Sequence, residues 1–239
     1  MKAVILAGGK GTRLAPYTTV LPKPLMPIGD MPILEIVLRQ MANYGFKDVT
    51  LAVGYLAELL MAYCGDGSKF GISVNYSREE HPLGTAGPIA LVPKLDDTFL
   101  VMNGDLLTTL DYGKMYRYHK ERKAIATLAA YQREVKIDLG VIDISDDDWV
   151  IDYIEKPTYK YSVSTGVYIF EPQVLDFITP DQRLDLPELV LRLIDQGHPV
   201  NVYRFDGYWL DIGRHDDYEK AIDEFSAHRN SFLPDNEMR

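Results

Sequence analysis

Three glycines in four positions, Gly8-Gly9-Lys10-Gly11, follow the apolar run Ala3-Val4-Ile5-Leu6-Ala7 and precede Thr12-Arg13. A backbone that bends this tightly can turn its N–H groups towards an anion, and Lys10 and Arg13 add positive charge at the same place. The segment is not a P-loop, because no Gly-Lys-[Ser/Thr] follows at the required spacing. It is not a complete dinucleotide fingerprint either, since Leu14 stands where the third glycine belongs. Pro16, Pro22, Pro24 and Pro27 keep the next stretch extended, as in a loop that wraps a ligand. Lys23, held between two of these prolines, is restricted enough to be aimed at one point; a solvated loop lysine is the plainer alternative.

Carboxylates supply the complementary chemistry. Phe99-Leu100-Val101-Met102 reads as a buried strand, and Asn103-Gly104-Asp105 turns a carboxylate out at its C-terminal edge, where open α/β sheets bind ligands. Aspartate suits a magnesium ion that also contacts phosphate oxygens, although an Asn-Gly turn with a capping Asp would look the same. Asp211 lies in Tyr208-Trp209-Leu210-Asp211-Ile212-Gly213, among aromatic and apolar neighbours where a charge is paired, ligates a metal or caps a helix. Glu155-Lys156-Pro157 offers a carboxylate for sugar hydroxyls beside a cation for a phosphate. The small residues of His81-Pro82-Leu83-Gly84-Thr85-Ala86-Gly87-Pro88 let a flat group such as a base lie against backbone, and a helix N-terminus explains them nearly as well. Cys64, the scattered histidines and Asp146-Asp147-Asp148 carry no functional reading.

The elements that must position these groups alternate. Strands are expected at Ala3–Ala7, Val49–Val53, Ser73–Tyr76, Phe99–Met102, Ala124–Tyr131, Gly140–Ile144, Val163–Phe170 and Val200–Phe205. Helices are expected at Ile33–Tyr44, Leu56–Tyr63, Thr85–Leu91, Tyr112–Lys120, Leu186–Gln196 and Asp216–His228, with Asp30 before Pro32 as a helix start. The β-then-α order of the first half argues for a mainly parallel, three-layered sheet. Between Ala124 and Phe170 the alternation is lost, and consecutive strands are expected there as a second sheet region covering the site. With 239 residues, one compact domain is expected, ending in a frayed tail from Ser231 onward.

Composition excludes several classes. A net charge of −10 repels nucleic acid on average. No apolar run approaches the roughly 20 residues that span a bilayer. One cysteine permits no intramolecular disulfide framework, and together these features point to a cytoplasmic protein.

Taken together and in this order, the segments resemble the sugar-1-phosphate nucleotidyltransferase family, whose fold is Rossmann-like and related to the GT-A glycosyltransferases. Leu-Ala-Gly-Gly-x-Gly-Thr-Arg-Leu carries most of the likeness, and Pro22-Lys23-Pro24, Asn103-Gly104-Asp105, Glu155-Lys156-Pro157 and Trp209-x-Asp211-x-Gly213 fit further family blocks. The resemblance implies that Leu6, Ala7, Gly8, Gly9, Gly11, Thr12 and Arg13 hold the nucleotide, with Arg13 and Lys23 on its phosphates, Asn103 and Gly104 beside it, and Gly84 and Thr85 flanking the base. It implies that Asp105 and Asp211 hold magnesium, manganese being able to substitute. Glu155 and Lys156 would hold the sugar 1-phosphate, with Gly140 and Thr165 nearby. Residues 1–120 would then serve mainly the nucleotide and residues 121–230 mainly the sugar phosphate. Pro-Leu-Gly-Thr-Ala-Gly-Pro is most like the mannose-1-phosphate and manno-heptose-phosphate guanylyl enzymes, whereas the Ser-Lys-Gln and Gly-Leu-Ala-Gln segments usual in thymidylyl enzymes are missing. Family members commonly carry Asn where this chain has Ser164 or Thr165. The sequence is expected to be the catalytic domain without the left-handed β-helix of many guanylyl enzymes, and a homo-oligomer is compatible with it. A regulator that has lost catalysis would lack a metal carboxylate, and both are present. A Rossmann oxidoreductase would need the third glycine.

Overall fold

Residues Met1–Leu233 are described by the computed structural model, and seven stretches of them pair into one sheet. In chain order these are β1 (Lys2–Ala7), β2 (Asp48–Val53), β3 (Ser73–Arg78), β4 (Phe99–Asn103), β5 (Ala126–Lys136), β6 (Thr158–Phe170) and β7 (Val200–Phe205). They lie side by side as β7-β5-β6-β4-β1-β2-β3, and β6 alone runs against its neighbours. This is the expected Rossmann-like, mainly parallel arrangement.

Strand alternation divides the core. Ala3, Ile5 and Ala7 of β1 face one side of the sheet, and Val4 faces the other. Helices α1 (Ile33–Asn43), α2 (Ala57–Cys64) and α3 (Tyr112–Arg122) cover the first side with Val37, Leu60 and Met115. Helix α4 (Leu186–Asp195) covers the second with Leu189 and Leu193, giving three layers. A third apolar cluster holds the proline-rich loop. There α5 (His215–Phe232) sets Ala221, Phe225 and Phe232 against Leu14, Met26, Ile28 and Ile212. Fully burying one such side chain contributes roughly 1.5–3 kcal/mol. Polar ties add to it, since Tyr218 Oη donates to Pro27 O at 2.7 Å and His215 Nε2 lies 3.0 Å from Ala15 O.

Four expectations need correction. The tail expected from Ser231 onward is helical at Ser231 and Phe232, and Phe232 is only 2% exposed because it fills this third cluster; positions 234–239 lie outside the described residues. Asp30 does not start α1. Pro32 takes the cap position, and Asp30 pairs with Arg229 of α5, whose hydrogen bond holds its carboxyl below the usual range. No α-helix forms over Thr85–Leu91, where only Gly87–Leu91 makes a tight 3-10 turn. The N–H groups of Ala86 and Gly87 both donate to Leu184 O, so the neighbouring loop competes with helical pairing. Finally, the Ala124–Phe170 strands do not make up one second sheet: only Val141–Ile144 and Val150–Ile154 pair as a sheet of their own. The inner parts of β5 and β6 join the central sheet, between β7 and β4, and their outer parts continue beyond it as a two-stranded ribbon. A hairpin of Val141–Ile144 and Val150–Ile154 tips that ribbon. No helix among the described residues is long and apolar enough to cross a membrane.

Candidate active site

Strand register builds the site. Ala7 of β1 pairs with Val53 of β2, and Leu6 pairs with Asn103 of β4, so three parallel strands end level with one another. The turns that leave them, Gly8–Arg13, Gly54-Tyr55 and Gly104-Asp105, therefore converge at the C-terminal edge of the sheet. Around them opens a cleft of about 1150 Å³. Its walls include Leu6, Ala7, Gly8, Gly9, Gly11, Thr12 and Arg13, and it also takes in Lys23, Gly84, Thr85, Asn103 and Asp105. Gly104 packs immediately beneath, where a Cβ would meet Leu6 O at 3.0 Å. The nucleotide-side residues are thus brought together.

The glycines have separate reasons. Gly11 sits at φ +62° beside the Thr18 and Lys23 side chains, and the Thr18 hydroxyl donates to its carbonyl at 2.9 Å. Gly8 and Gly54 make room for a carboxylate that the sequence did not flag. A Cβ on either would stand 2.5 or 2.7 Å from Glu79 Oε1, while Glu79 Oε2 accepts from Leu83 N at 3.0 Å. Gly84, at φ +78°, approaches Leu184 O closely.

The two aspartates meet through a short antiparallel ladder. Trp209–Asp211 pairs with Leu106–Thr108, which sets Asp211 opposite Leu106 and beside Asp105. Lys23 bridges them: its ammonium donates to Asp105 Oδ2 and lies 3.9 Å from Asp211 Oδ1. Arg13 runs along the backbone of Gly213, where a Cβ would meet its guanidinium at 3.2 Å. Burial, and then the Asp105 charge, push the Asp211 carboxyl above its usual range, with Lys23 and Arg13 pulling the other way. Asp105 Oδ1 is buried with no hydrogen-bond partner. An orphaned carboxylate oxygen beside a second carboxylate fits a divalent cation. No cluster of three or more ligating side chains exists among the described residues, so the remaining ligands would come from phosphate and water, as magnesium prefers.

None of the sugar-phosphate candidates is among the residues that line this cleft. Thr165 is 1% exposed and spends its hydroxyl on Ala129 O at 3.0 Å. Its carbonyl accepts from Trp209 Nε1 at 2.9 Å, and neighbouring Gly166 packs against the Asn103 amide. Gly140, Glu155 and Lys156 lie at the end of the ribbon. There the Tyr153 ring covers Gly140, Tyr153 Oη donates to Glu155 Oε2 at 3.1 Å, and Lys156 Nζ stands 3.8 Å from Glu155 Oε1. Lys156 holds φ +46°, a conformation that a non-glycine residue keeps only under local constraint.

Sequence reasoning missed Tyr55, Glu79 and Arg183 on the cleft wall, and also Asp185 behind it. One signal was available. Asp185-Leu186-Pro187-Glu188 is a capping box with Pro at the start of α4. Asp185 Oδ1 accepts from Thr85 N at 3.0 Å, and Thr85 Oγ1 accepts from Leu186 N at 2.8 Å. Thr85 is therefore pinned by α4.

Residues 2–227 match the nucleotidyl transferase family. The UTP–glucose-1-phosphate uridylyltransferase of Synechocystis is 38% identical, over 93% of this chain and 62% of its own length. The mannose-1-phosphate guanyltransferase of Yarrowia lipolytica is 35% identical, over 91% of this chain and 62% of its own. The chain thus spans under two thirds of the length of the curated relatives it matches. Among solved structures, HddC from Yersinia pseudotuberculosis complexed with GMP-PN superposes with a TM-score of 0.72 at 26% identity, covering 94% of this chain and 99% of that one.

Proposed function

The chain belongs to the nucleotidyl transferase family, and on that premise we propose that it joins a nucleoside triphosphate to a sugar 1-phosphate, releasing pyrophosphate. The observation that carries this reading is the cleft itself: a glycine loop, two cations and two carboxylates converge at the edge of three parallel strands. A phosphate oxygen of the sugar 1-phosphate attacks the α-phosphorus in line, and pyrophosphate leaves. Both substrates are anions, so Arg13, Lys23 and Lys156 must offset their repulsion and the charge that builds up during transfer. Asp105 and Asp211 would hold magnesium, with manganese an acceptable substitute, and the cation when bound screens phosphate charge. No side chain need act as nucleophile; binding and alignment supply most of the acceleration. Residues 1–120 would mainly serve the nucleotide and residues 121–230 the sugar phosphate, within one catalytic domain. We place the reaction in the cytoplasm, a reading supported by a chain with one cysteine.

We favour GTP with mannose 1-phosphate or a manno-heptose 1-phosphate. The Yarrowia guanylyl relative and the GMP-PN complex of HddC support that pair. So does Glu79, since a carboxylate in the cleft wall matches the adjacent N1–H and N2–H donors of guanine. The Synechocystis relative favours a second reading, UTP with glucose 1-phosphate. A pyrophosphate-release assay across four triphosphates and a panel of sugar 1-phosphates decides between them. GTP should give the highest kcat/KM; a higher value for UTP or dTTP with every sugar would remove the guanylyl assignment and keep the reaction class.

A further inference from the structure

Two cations claim the same carboxylates. A divalent ion held by Asp105 and Asp211 would need oxygens that this chain already meets with a cation of its own. The Lys23 ammonium donates to Asp105 Oδ2 and stands 3.9 Å from Asp211 Oδ1. Among the described residues it makes no other hydrogen bond or ion pair. Asp105 Oδ1, buried and without a partner, is the oxygen that the lysine does not serve.

The lysine is anchored at its base and free at its tip. Leu25 N donates to Pro22 O at 2.8 Å and Met26 N to Lys23 O at 3.0 Å, which ties the backbone down. The stem lies along the glycine loop, where a Cβ on Gly11 would stand 3.1 Å from Lys23 Cβ and 3.5 Å from its Cδ. With the residue only 8% exposed, little beyond the ammonium end can turn. The stem therefore touches the loop that suits phosphates while the head touches the carboxylates. A lysine head is a compact charge with three donors on a rotatable bond, so one side chain can serve either anion. A divalent cation entering alone must share Asp105 with that ammonium, which sets like charges together in a partly dry cleft, or strip it of its hydrogen-bonded anion. A triphosphate removes the conflict, because its oxygens can take both cations.

We infer that Lys23 is a built-in counter-ion that closes the Asp105–Asp211 pair to a divalent cation until a triphosphate draws the ammonium away, so that metal and triphosphate bind with positive linkage. This rests on reading Asp105 and Asp211 as the metal carboxylates. The linkage is reciprocal: each ligand raises the affinity for the other by the same factor, and such couplings are roughly 5- to 150-fold. Between turnovers the carboxylates stay neutralised by the chain itself, and the site opens to metal only when phosphate is at hand.

Manganese alone, titrated without nucleotide and followed by the electron spin resonance of the free ion, is the direct probe. Lys23→Met should bind it roughly 5- to 150-fold more tightly than wild type. Lys23→Arg, which keeps a cation, should stay as weak as wild type, and Asp105→Asn added to Lys23→Met should remove the gain. Equal affinity in wild type and Lys23→Met overturns the inference, and whether Asp105→Asn weakens that binding then tells if the metal reading stands. An arginine variant as tight as the methionine one overturns the inference too. A gain that survives Asp105→Asn places the ion elsewhere, and both readings fall. Should Lys23→Met not fold, the ammonium resonance of Lys23 in the wild type, assigned by its loss in Lys23→Arg, answers the same question. It should hold still in millimolar magnesium and move when GTP or UTP joins the metal. Movement on magnesium alone, or none with either nucleotide, overturns the inference.

Discussion

Replacing Lys23 by methionine tests the centre of the site, because it removes a charge while keeping most of the volume. Lys23 is 8% exposed and its ammonium touches one carboxylate and faces another. Without it Asp105 keeps one oxygen that is already unpartnered, loses the cation on the other, and confronts Asp211 as a like charge. Stripping one partner from a buried pair costs about 3–5 kcal/mol. The side chains of Asp105 and Asp211 are 21% and 45% exposed, so water screens part of this and the low end, about 3 kcal/mol, applies. For a domain of this size that lowers Tm by roughly 6–12 °C. Asp105→Asn added to Lys23→Met should recover most of the loss, since the uncompensated charge is gone. Millimolar magnesium should raise the Tm of Lys23→Met more than that of wild type, a cation replacing a cation. Differential scanning calorimetry with and without the metal measures all of this. A Lys23→Met protein within about 1 °C of wild type, or one no more responsive to magnesium, would refute the claim that Lys23 neutralises this pair.

Asp105→Asn and Asp211→Asn should each lower kcat by at least about 100-fold, the scale of a lost electrostatic stabiliser, and EDTA should abolish turnover; an undiminished chelated enzyme would sink the metal assignment. Gly84→Ala must hold φ +78° with its Cβ 2.5 Å from Leu184 O. It should cost about 1–3 kcal/mol and weaken triphosphate binding in isothermal titration, and unchanged Tm and Kd would show that the turn is compliant. Acid should destabilise the fold from below neutrality. Burial holds His119 below its ordinary 6.5 despite Glu171, so the unfolded chain takes up that proton first. The stability of the neutral ring is then complete above pH 6.5 and is lost as pH falls towards the folded pKa. Tm measured from pH 8 to 5 should begin to fall near 6.5, and a His119→Gln variant with the same slope there would assign it elsewhere.

Much of the fold was legible because the signals were local. Ala3–Ala7 and Phe99–Met102 are short apolar runs cut off by turn residues, and α1 repeats its apolar positions at helical spacing. The cleft was legible where one segment carries its own geometry, as Gly8–Arg13 does. Glu79 and Arg183 were not, because an exposed-looking charge in a polar stretch acquires meaning only when a distant loop folds against it. Thr85 marked the cleft wall, yet its bonds to Asp185 and Leu186 arise 100 and 101 residues away. The outer ribbon misled for a related reason: alternating apolar residues announce a strand without saying which sheet it joins.

The last helix also sets a timetable. The glycine loop precedes that helix by about 200 residues, and part of the cover on Leu14, Met26 and Ile28, that from Ile212, Ala221 and Phe225, comes only with it. Asp211 reaches Asp105 equally late. At about 5–20 residues per second, the ~200 residues between them take roughly 10–40 s to synthesise. During that interval the nascent chain carries an open, cationic loop with no second carboxylate beside it.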